Sequence, residues 1–324
     1  MADVATVAGV SKITVSRALR GSELVKPAVR KRISEVAAQM GYRVNLAARD
    51  LRLKRRMRIA VVVDMKASDD RPLYDPYPLA LLGGIMQECA AAGFAVVLTT
   101  SDPKMNAEAM DTSGVIVLGQ GAEHETVRAL AGLNLPLAVW GADDGVENEI
   151  GAAVVGSDNR QGGILAAQHL QHRGCKRLVF LGDTHHAELA DRVHGFRAGI
   201  QAGTEIVATQ SADFTREAGR RAMREVIEAG ISFDGVFAGS DLVALGAIDA
   251  LREAGGALRP NIAIVGYDDT PAAAAHAPRL TTIRQDWTEG GRLLARTLFA
   301  RLSPDRFAAP RSRILPVQLV ERET

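Results

Sequence analysis

Cysteine, aromatic residues and long apolar runs are all scarce in this sequence. Cys89 and Cys175 are the only cysteines, and two distant thiols in apolar segments predict neither a disulfide framework nor a zinc site. No run of about 18 apolar residues occurs that could cross a membrane. The first residues also lack the basic and apolar stretches of a secretory signal. We therefore expect a cytoplasmic protein in a reducing compartment, with no membrane partner.

Sequence signatures of catalysis are missing as well. There is no Gly-x-Ser-x-Gly elbow, no His-Glu-x-x-His pair, no P-loop and no Gly-x-Gly-x-x-Gly turn after a strand. Asp183, His185 and His186 are close in the chain, but neighbours in one loop do not supply a metal geometry. We expect no enzymatic activity, no cofactor and no metal site. Apolar residues make up 47% of the 324 residues, enough to bury the cores of two or three domains.

The small net charge of +1 hides an uneven distribution. Residues 1–56 carry 13 basic and four acidic side chains, whereas residues 57–324 carry 26 basic and 34 acidic ones. The first segment therefore has a net charge of +9 and the second of −8. A small basic module on a larger acidic body is typical of proteins that bind a polyanion such as nucleic acid. A charged, solvated face is the alternative interpretation on charge alone.

The basic segment also has the pattern of three short helices. Residues 2–8 predict a first helix, Gly9 a tight turn, and Ser11 an N-cap for a second helix at residues 12–20. A third helix is predicted at residues 27–40, where apolar side chains recur three and four positions apart. Three helices with a tight turn between the first two predict a helix-turn-helix DNA-binding headpiece.

In a helix-turn-helix the start of the second helix meets base edges in the major groove, and other polar side chains bind phosphates. We therefore expect base contacts from Lys12, Ile13, Ser16 and Arg17, and phosphate contacts from Thr14, Arg20 and Arg30. Lysine and arginine can donate to guanine, and isoleucine can contact a thymine methyl group. We place this headpiece at residues 1–44.

A hinge helix and linker are predicted at residues 45–57. Asn45 can cap a helix of about two turns, which is too short to be stable alone in water. Where DNA and a second subunit hold such a helix, Ala48 allows close approach and Leu51 can act as an apolar wedge in the minor groove. A plain linker is the alternative interpretation.

From residue 58 onwards, apolar β-branched runs alternate with helical segments. This alternation predicts an α/β core of doubly wound parallel sheets in two lobes around a cleft, as in periplasmic binding proteins. We place lobe 1 at about residues 58–157 and 286–312, and lobe 2 at about residues 158–285 and 313–324. The predicted elements include strands at residues 59–63, 114–118, 137–140, 177–181 and 235–238, a helix at 192–202 and a strand-like segment at 315–320.

Many headpiece positions follow one spacing without a gap. They include Val4-Ala5, residues 8–11, residues 14–19, Val25-Lys26-Pro27, Gly41-Tyr42, Asn45, Ala48 and Leu51. In these positions the chain resembles the lactose/galactose repressor (LacI/GalR) family, and the resemblance continues through residues 281–286 to 315–317. It implies a homodimer that binds double-stranded DNA at a pseudo-palindromic operator. It also implies a small-molecule effector that closes or twists the lobes and disorders the hinge helices.

Ligands of doubly wound folds sit beyond the carboxyl ends of the strands, where this sequence has polar loops. These loops and the segments beside them supply the candidates Asp75, Tyr77, Leu81, Trp140 and Asp158. The resemblance implies further that Arg192 and Asp268 bind the effector, that Phe214 stacks on it, and that Ser240 stands where many relatives have a pocket asparagine. It weakens at Gly141, where some relatives place a pocket carboxylate.

Carboxylates, a guanidinium and an aromatic platform around one cleft suit a polyhydroxyl ligand, so we expect a mono- or disaccharide effector. Three alternatives concern single residues. Asp241 and Asp269 could serve only as helix caps, and Trp140 could belong to the core.

We therefore predict a dimeric repressor of a carbohydrate-utilisation operon that a small sugar releases from its operator. A transport solute-binding protein would explain the core but not the basic headpiece or the missing signal. An enzyme with an appended DNA-binding module would need a catalytic constellation. An activator or a co-repressor-dependent repressor differs only in the sign of the ligand effect, which stays open. Because no leucine heptads follow residue 320, we expect a dimer and not a tetramer.

Overall fold

The computed structural model describes residues 2–18, 24–40, 57–65, 75–101, 111–255, 262–302 and 312–324. The chain forms two compact units, Met1–Arg56 and Met57–Thr324. Four of the predicted DNA-contacting residues lie outside the described residues, namely Arg20, Asn45, Ala48 and Leu51.

The described residues of the first unit form three helices, α1 (Ala2–Ala8), α2 (Lys12–Ala18) and α3 (Pro27–Gln39). Their apolar faces meet in a small core that includes Val4, Val15 and Ile33. Gly9 adopts a positive φ of 64° in the turn between α1 and α2, a conformation that glycine reaches without a steric penalty. The Ser11 hydroxyl accepts a hydrogen bond from the backbone N–H of Thr14 at 3.1 Å, which confirms the predicted N-cap.

In its described residues the second unit consists of strands that mostly alternate with helices. Its first part comprises β1 (Arg58–Val63), α4 (Pro76–Ala92), β2 (Ala95–Thr100), β3 (Gly114–Leu118), a 3₁₀ turn (Ala122–His124), α5 (Glu125–Ala131), β4 (Leu137–Trp140), α6 (Val146–Glu149) and β5 (Ala153–Ser157). Its second part comprises α7 (Asn159–His172), β6 (Arg177–Leu181), α8 (Ala187–Ala198), β7 (Glu205–Gln210), α9 (Arg216–Glu228), β8 (Gly235–Ala238), α10 (Asp241–Glu253), β9 (Ala263–Asp268), α11 (Pro271–Ala275) and β10 (Thr281–Arg284). The final elements are α12 (Trp287–Leu302), β11 (Ser312–Leu315) and β12 (Gln318–Val320).

These strands form two six-stranded sheets. The first has the order β11-β5-β4-β3-β1-β2 with all neighbours parallel. The second has the order β12-β10-β9-β8-β6-β7 and is parallel except for the pair β10 and β12. Both sheets have buried helices packed on them, as parallel sheets require. The predicted fold class is confirmed.

The last part of the chain differs from the prediction. The strand-like segment at residues 315–320 is the end of one strand and the start of another, separated by Pro316, which has no N–H to donate to a sheet. The sequence places residues 313–324 in lobe 2. Ser312–Leu315 instead pairs with β5 and therefore belongs to the first sheet. The chain returns to the second sheet only at β12.

Two helices also depart from the sequence expectation. The helix expected at residues 192–202 is α8, which begins five residues earlier at Ala187 and so places Arg192 in its middle. Helix α12 was not predicted, because Gly290 and Gly291 lower its intrinsic helix propensity. Those glycines have a packing role, since a Cβ on Gly291 would overlap the carbonyl oxygen of Leu81 on α4. The close contact of α4 and α12 therefore requires residues that disfavour an isolated helix.

Candidate functional site

A cleft of about 830 Å³, a volume that includes open solvent at its mouth, lies where the carboxyl ends of the two sheets face each other. We call its two sides the first wall and the second wall. The first wall, from the first sheet and its helices, consists of Asp64, Asp75, Tyr77, Gly119, Gln120, Gly121, Trp140, Gly141, Ser157 and Trp287. The second wall, from the second sheet and its helices, consists of Asn159, His186, Glu188, Arg192, Phe214, Ser240, Leu242, Asp268, Thr270 and Gln285.

Arg192 is held rigidly on the second wall. It is buried, and its Nε donates to Asn159 Oδ1 at 2.9 Å while its Nη1 donates to the carbonyl oxygen of Gly239 at 2.5 Å. The guanidinium carbon lies 3.6 Å from the centre of the Tyr267 ring, a cation–π contact. The guanidinium is therefore fixed in orientation before any ligand arrives.

Asp268 ends β9 beside this arginine. Gln285 Nε2 donates to its Oδ1 at 2.7 Å, and its backbone has a positive φ of 122°. Such a φ is strained for a residue with a Cβ, and strain of this kind is concentrated at functional sites. Loss of solvent raises the pKa of the Asp268 carboxyl, the charge of Arg192 opposes that rise, and the neighbouring Asp241 adds to it.

Asp241 lies buried behind the second wall and accepts three hydrogen bonds. Oδ2 accepts from the Thr270 N–H at 2.7 Å and from the Thr270 hydroxyl at 3.0 Å, and Oδ1 accepts from the Thr282 hydroxyl at 2.6 Å. Burial raises the pKa of this carboxyl, and the hydrogen bonds offset part of the rise. The cap of α10 is instead Ser240, whose Oγ accepts from the Val243 N–H at 3.3 Å. The cap alternative for Asp241 is therefore wrong.

Asp269 is not a helix cap either. It pairs with Arg284 at 2.6 Å and with Arg322, and these partners lower the pKa of its carboxyl against the effect of burial. The cap of α11 is Thr270, which accepts from the Ala273 N–H at 3.3 Å. The carboxylate of Asp269 thus ties β9 to the last residues of the chain.

Aromatic side chains lie on both walls. Tyr77 and Trp287 meet edge to face on the first wall with ring centres 5.7 Å apart. Trp140 lies beside them and packs on α12, where a Cβ on Gly290 would overlap its indole. On the second wall, His186 and Phe214 meet edge to face at 5.2 Å. Rings on both sides of one cleft suit the flat faces of a sugar.

Several buried polar atoms of the first wall have no hydrogen-bond partner among the described residues. They are Asp64 Oδ2, Ser157 Oγ and Trp287 Nε1. Buried donors and acceptors are almost always paired in folded proteins, so unpaired ones in a cleft indicate where a ligand or water binds.

The fold brings most of the sequence-predicted effector residues to this cleft. Asp75, Tyr77, Trp140, Arg192, Phe214, Ser240 and Asp268 all line it. Leu81 does not, because it is fully buried between α4 and the first sheet. Asp158 does not line it either, since its Oδ1 caps α7 by accepting from the Gln161 N–H at 2.9 Å. Trp140 belongs both to the cleft and to the core.

Sequence reasoning missed several lining residues. Asp64 directly follows β1 and Gln120 lies two residues after β3, so their place after buried strands was a usable signal. His186, Glu188 and Leu242 lie at or near the starts of helices that follow second-sheet strands, and Asn159 begins α7 after the first-sheet strand β5. Gln285 and Trp287 begin the segment that leads into the unpredicted α12. Thr270 had no signal at all, because its role depends on contact with Asp241.

In the first unit, α2 presents several predicted DNA contacts to solvent. Lys12, Ile13 and Arg17 are exposed, and Ile13, an apolar residue, is 63% exposed. Thr14 is half-buried, with its hydroxyl 2.9 Å from that of Ser11, and Ser16 lies on the same helix. Arg30 Nη2 donates to the carbonyl oxygen of Val25 at 3.2 Å. An exposed isoleucine between basic residues is expected of a helix that reads a groove.

Away from the cleft, one group of described residues could hold a metal ion. It consists of His124, Asp144 and Glu147, on the loops that follow β3 and β4. None of the helices in the described ranges is long and apolar enough to span a membrane.

Two family descriptions match this chain. Residues 1–45 match "Bacterial regulatory proteins, lacI family", and residues 167–324 match "Periplasmic binding protein-like domain". Among curated relatives, the transcriptional regulator CelR of Thermobifida fusca is 31% identical over 332 residues, which span 99% of this chain and 96% of CelR.

Two solved structures resemble the chain over nearly its full length. A lac repressor dimer bound to operator and the anti-inducer ONPF has a TM-score of 0.85 at 25% identity, covering 99% of this chain and 97% of that one. A complex of the regulator CelR with cellobiose has a TM-score of 0.73 at 28% identity, covering 99% and 98%.

Proposed function

The chain belongs to the bacterial lacI family of regulatory proteins, and we propose that it is a dimeric repressor of a carbohydrate-utilisation operon that a small sugar releases from its operator. It is a DNA-binding transcription regulator with an effector-binding core and not an enzyme. The observation that carries the proposal is a preformed cleft with aromatic rings and carboxylates on both walls, in the same chain as a basic headpiece.

For the DNA-binding end, the proposal assigns α2 to the major groove. Lys12, Ile13 and Arg17 are exposed on this short helix, and Ser16 shares it. We assign base readout to these four residues and phosphate binding to Thr14, Arg20 and Arg30. In the hinge we assign the cap to Asn45, the close approach to Ala48 and the minor-groove wedge to Leu51.

The charges in the cleft favour a neutral effector. Asp64, Asp75 and Glu188 line it, and the guanidinium of Arg192 is already bonded within the protein. A phosphorylated or carboxylated ligand would meet this excess of carboxylates, whereas a neutral sugar would donate its hydroxyls to them. CelR, a relative, has been solved with cellobiose, so cellobiose is the first compound to test among mono- and disaccharides.

We assign the dimer contact to the outer face of α4 and the edge strand β2. Leu79 and Met86 lie seven residues apart on α4 and are 49% and 46% exposed, and Leu98 on β2 is 54% exposed. Apolar side chains of this size on one exposed face favour contact with a second protein surface. A twofold partner provides the second headpiece that a pseudo-palindromic operator needs, and a lac repressor has been solved as a dimer on its operator.

The proposal is tested by operator release. An operator selected from random DNA is labelled, and its fluorescence anisotropy with the full chain is followed as cellobiose, ribose and other neutral sugars are added. We expect one sugar to release the DNA at constant salt, because an effector shifts operator affinity by its differential affinity for the two core states. The same sugar should raise the melting temperature.

Two matched variants locate the response. Asp64→Asn removes a cleft carboxylate and should weaken the sugar response at least tenfold, whereas Asp191→Asn, next to Arg192 but paired with Arg160 outside the cleft, should not. Arg17→Ala should lose the distinction between operator and random DNA and keep the thermal shift. A sugar that tightens operator binding, or a screen in which no neutral sugar binds, would contradict the proposal.

A further inference from the structure

A histidine is held between two carboxylates at the rim of the first lobe, outside the cleft. His124 ends the 3₁₀ turn after β3, and Asp144 and Glu147 lie in the loop after β4 and in α6. Glu123 and His124 both have a positive φ of 59°, so the backbone is held in the left-handed conformation to bring the ring into place.

The three side chains lie close enough together to form one small site. His124 Nδ1 lies 2.6 Å from Glu147 Oε1, and His124 Nε2 lies 3.0 Å from Asp144 Oδ2. One ligand atom from each residue can be chosen so that all three lie within 4.8 Å of one another. Metal–ligand bonds of about 2.0–2.2 Å to nitrogen and oxygen place the ligands of one ion within such a span.

Glu147 indicates that the cluster lacks a positive charge. The residue is fully buried, and its second oxygen, Oε2, has no hydrogen-bond partner among the described residues. In that part of the chain neither Asp144 nor Glu147 pairs with a lysine or arginine. A protonated His124 would bring one positive charge to two carboxylates. A divalent ion on a neutral ring would balance both, and buried carboxylates are stable when they are paired or bound to metal.

We propose that His124, Asp144 and Glu147 form a binding site for one divalent transition-metal ion, of which Zn²⁺ is the best fit. Imidazole with carboxylates suits zinc and its neighbours better than it suits magnesium or calcium. Because the acids approach different ring nitrogens, one acid binds the ion together with the ring. The other accepts the remaining N–H and fixes the tautomer.

The ion would strengthen an existing connection between two loops that line the cleft. Gln120, after β3, already bonds to Ala142, after β4, through Ala142 N–H to Oε1 at 2.7 Å and Nε2 to Ala142 O at 2.8 Å. The metal site joins the same two loops a few residues further on. Its occupancy should therefore raise the stability of the full chain without contacting the effector.

Isothermal titration of the EDTA-stripped, dialysed full chain with ZnCl₂ tests the site. We expect one ion per chain with micromolar or tighter affinity, a rise in melting temperature, and no saturable binding of MgCl₂. His124→Asn should abolish Zn²⁺ binding while keeping the backbone, because asparagine tolerates a positive φ. Glu147→Gln and Asp144→Asn should each weaken it at least tenfold, since removal of an orienting partner alone costs roughly 10–100-fold.

His185→Asn is the matched control. His185 Nδ1 lies 2.7 Å from Asp183 Oδ1, another histidine–carboxylate pair, but it is exposed and is not one of the three clustered residues. Its loss should leave Zn²⁺ binding unchanged. The site is refuted if the wild type shows no saturable binding below about 1 mM, far weaker than a structural site, or if His124→Asn binds as the wild type does. Circular dichroism and operator binding verify that each variant is folded.

Discussion

On the second wall of the cleft Arg192 and Asp268 are held by protein hydrogen bonds, and among the described residues one lining atom, Glu188 Oε2, is buried and unpaired, whereas on the first wall three such atoms are unpaired. Arg192 is held by Asn159 and Gly239, and Asp268 by Gln285. Across the cleft, buried atoms of Asp64 and Ser157 are unpaired. The two walls are built by sheets of corresponding strand order that differ in the direction of one edge strand, so the difference lies mainly in the residues at the strand ends.

This difference suggests separate tasks for the two walls. Arg192 and Asp268 are hydrogen-bonded in the absence of ligand, and such preorganisation lowers the entropic loss on binding. Unpaired buried atoms carry a desolvation penalty that a ligand relieves when it supplies the missing hydrogen bond. We therefore expect changes on the second wall to affect folding strongly, and changes on the first wall to affect effector affinity more than folding.

The largest effect should come from Arg192→Ala. It leaves buried Asn159 Oδ1 and the Gly239 carbonyl unpaired, and it removes the positive charge beside Asp268. We expect the free energy of unfolding in urea to fall by about 3–5 kcal/mol and sugar binding to be lost. Arg160→Ala, which breaks the exposed pair with Asp191, should lower the free energy of unfolding by less than about 1 kcal/mol. Similar losses for the two variants would show that the hydrogen bonds of Arg192 on the second wall do not stabilise the fold.

A smaller effect should come from Asp241→Asn, which should raise the free energy of unfolding relative to the wild type at alkaline pH. Burial raises the folded-state pKa of Asp241 above its unfolded value, so the folded protein binds this proton more tightly. The stabilisation from that proton is present below the unfolded pKa and is lost as the pH rises through the folded pKa. Between about pH 5 and about pH 8, the free energy of unfolding in urea should fall less in the variant than in the wild type, by on the order of 2 kcal/mol.

Asp249→Asn is the control for this profile, with the sign reversed. Arg216 lowers the pKa of Asp249 through a side-chain hydrogen bond at 2.6 Å. The stabilisation from this carboxylate is therefore present above its unfolded pKa and lost as the pH falls. Asp249→Asn should have a lower free energy of unfolding than the wild type at neutral pH and the same free energy of unfolding in acid. If Asp241→Asn followed the same course, the carboxyl would be ionised and paired in the folded state.

The smallest effect should come from Trp287→Phe on the first wall. The phenyl ring can keep the edge contact with Tyr77, and the unpaired, buried Nε1 is removed. We expect the free energy of unfolding to change by less than about 1 kcal/mol, and sugar affinity in a calorimetric titration to fall roughly tenfold for one lost hydrogen bond. An unchanged affinity together with a large loss of stability would reverse the proposed division between the walls.

The sequence by itself determined the features that depend on local physics. Continuous apolar runs located strands such as Gly114–Leu118 and Arg177–Leu181 to the residue, since the strands of a parallel sheet are buried on both faces. The tight turn at Gly9 and the cap at Ser11 were readable because each depends on one residue type at one position. The basic headpiece on an acidic core followed from counting charges.

Tertiary structure alone decided what each polar side chain contacts. The sequence positions of Leu81 and Asp158 predict cleft residues. In the structure Leu81 is buried in the core, and Asp158 caps the N-terminus of α7. The glycines of α12 allow α4 to pack closely against it. This packing stabilises α12, and local helix propensity does not include it. His124 and Glu147 are 23 residues apart, and only the pairing of β3 with β4 brings them together. Local patterns report on neighbours in the chain, whereas the cleft and the metal site are made by contacts between distant segments.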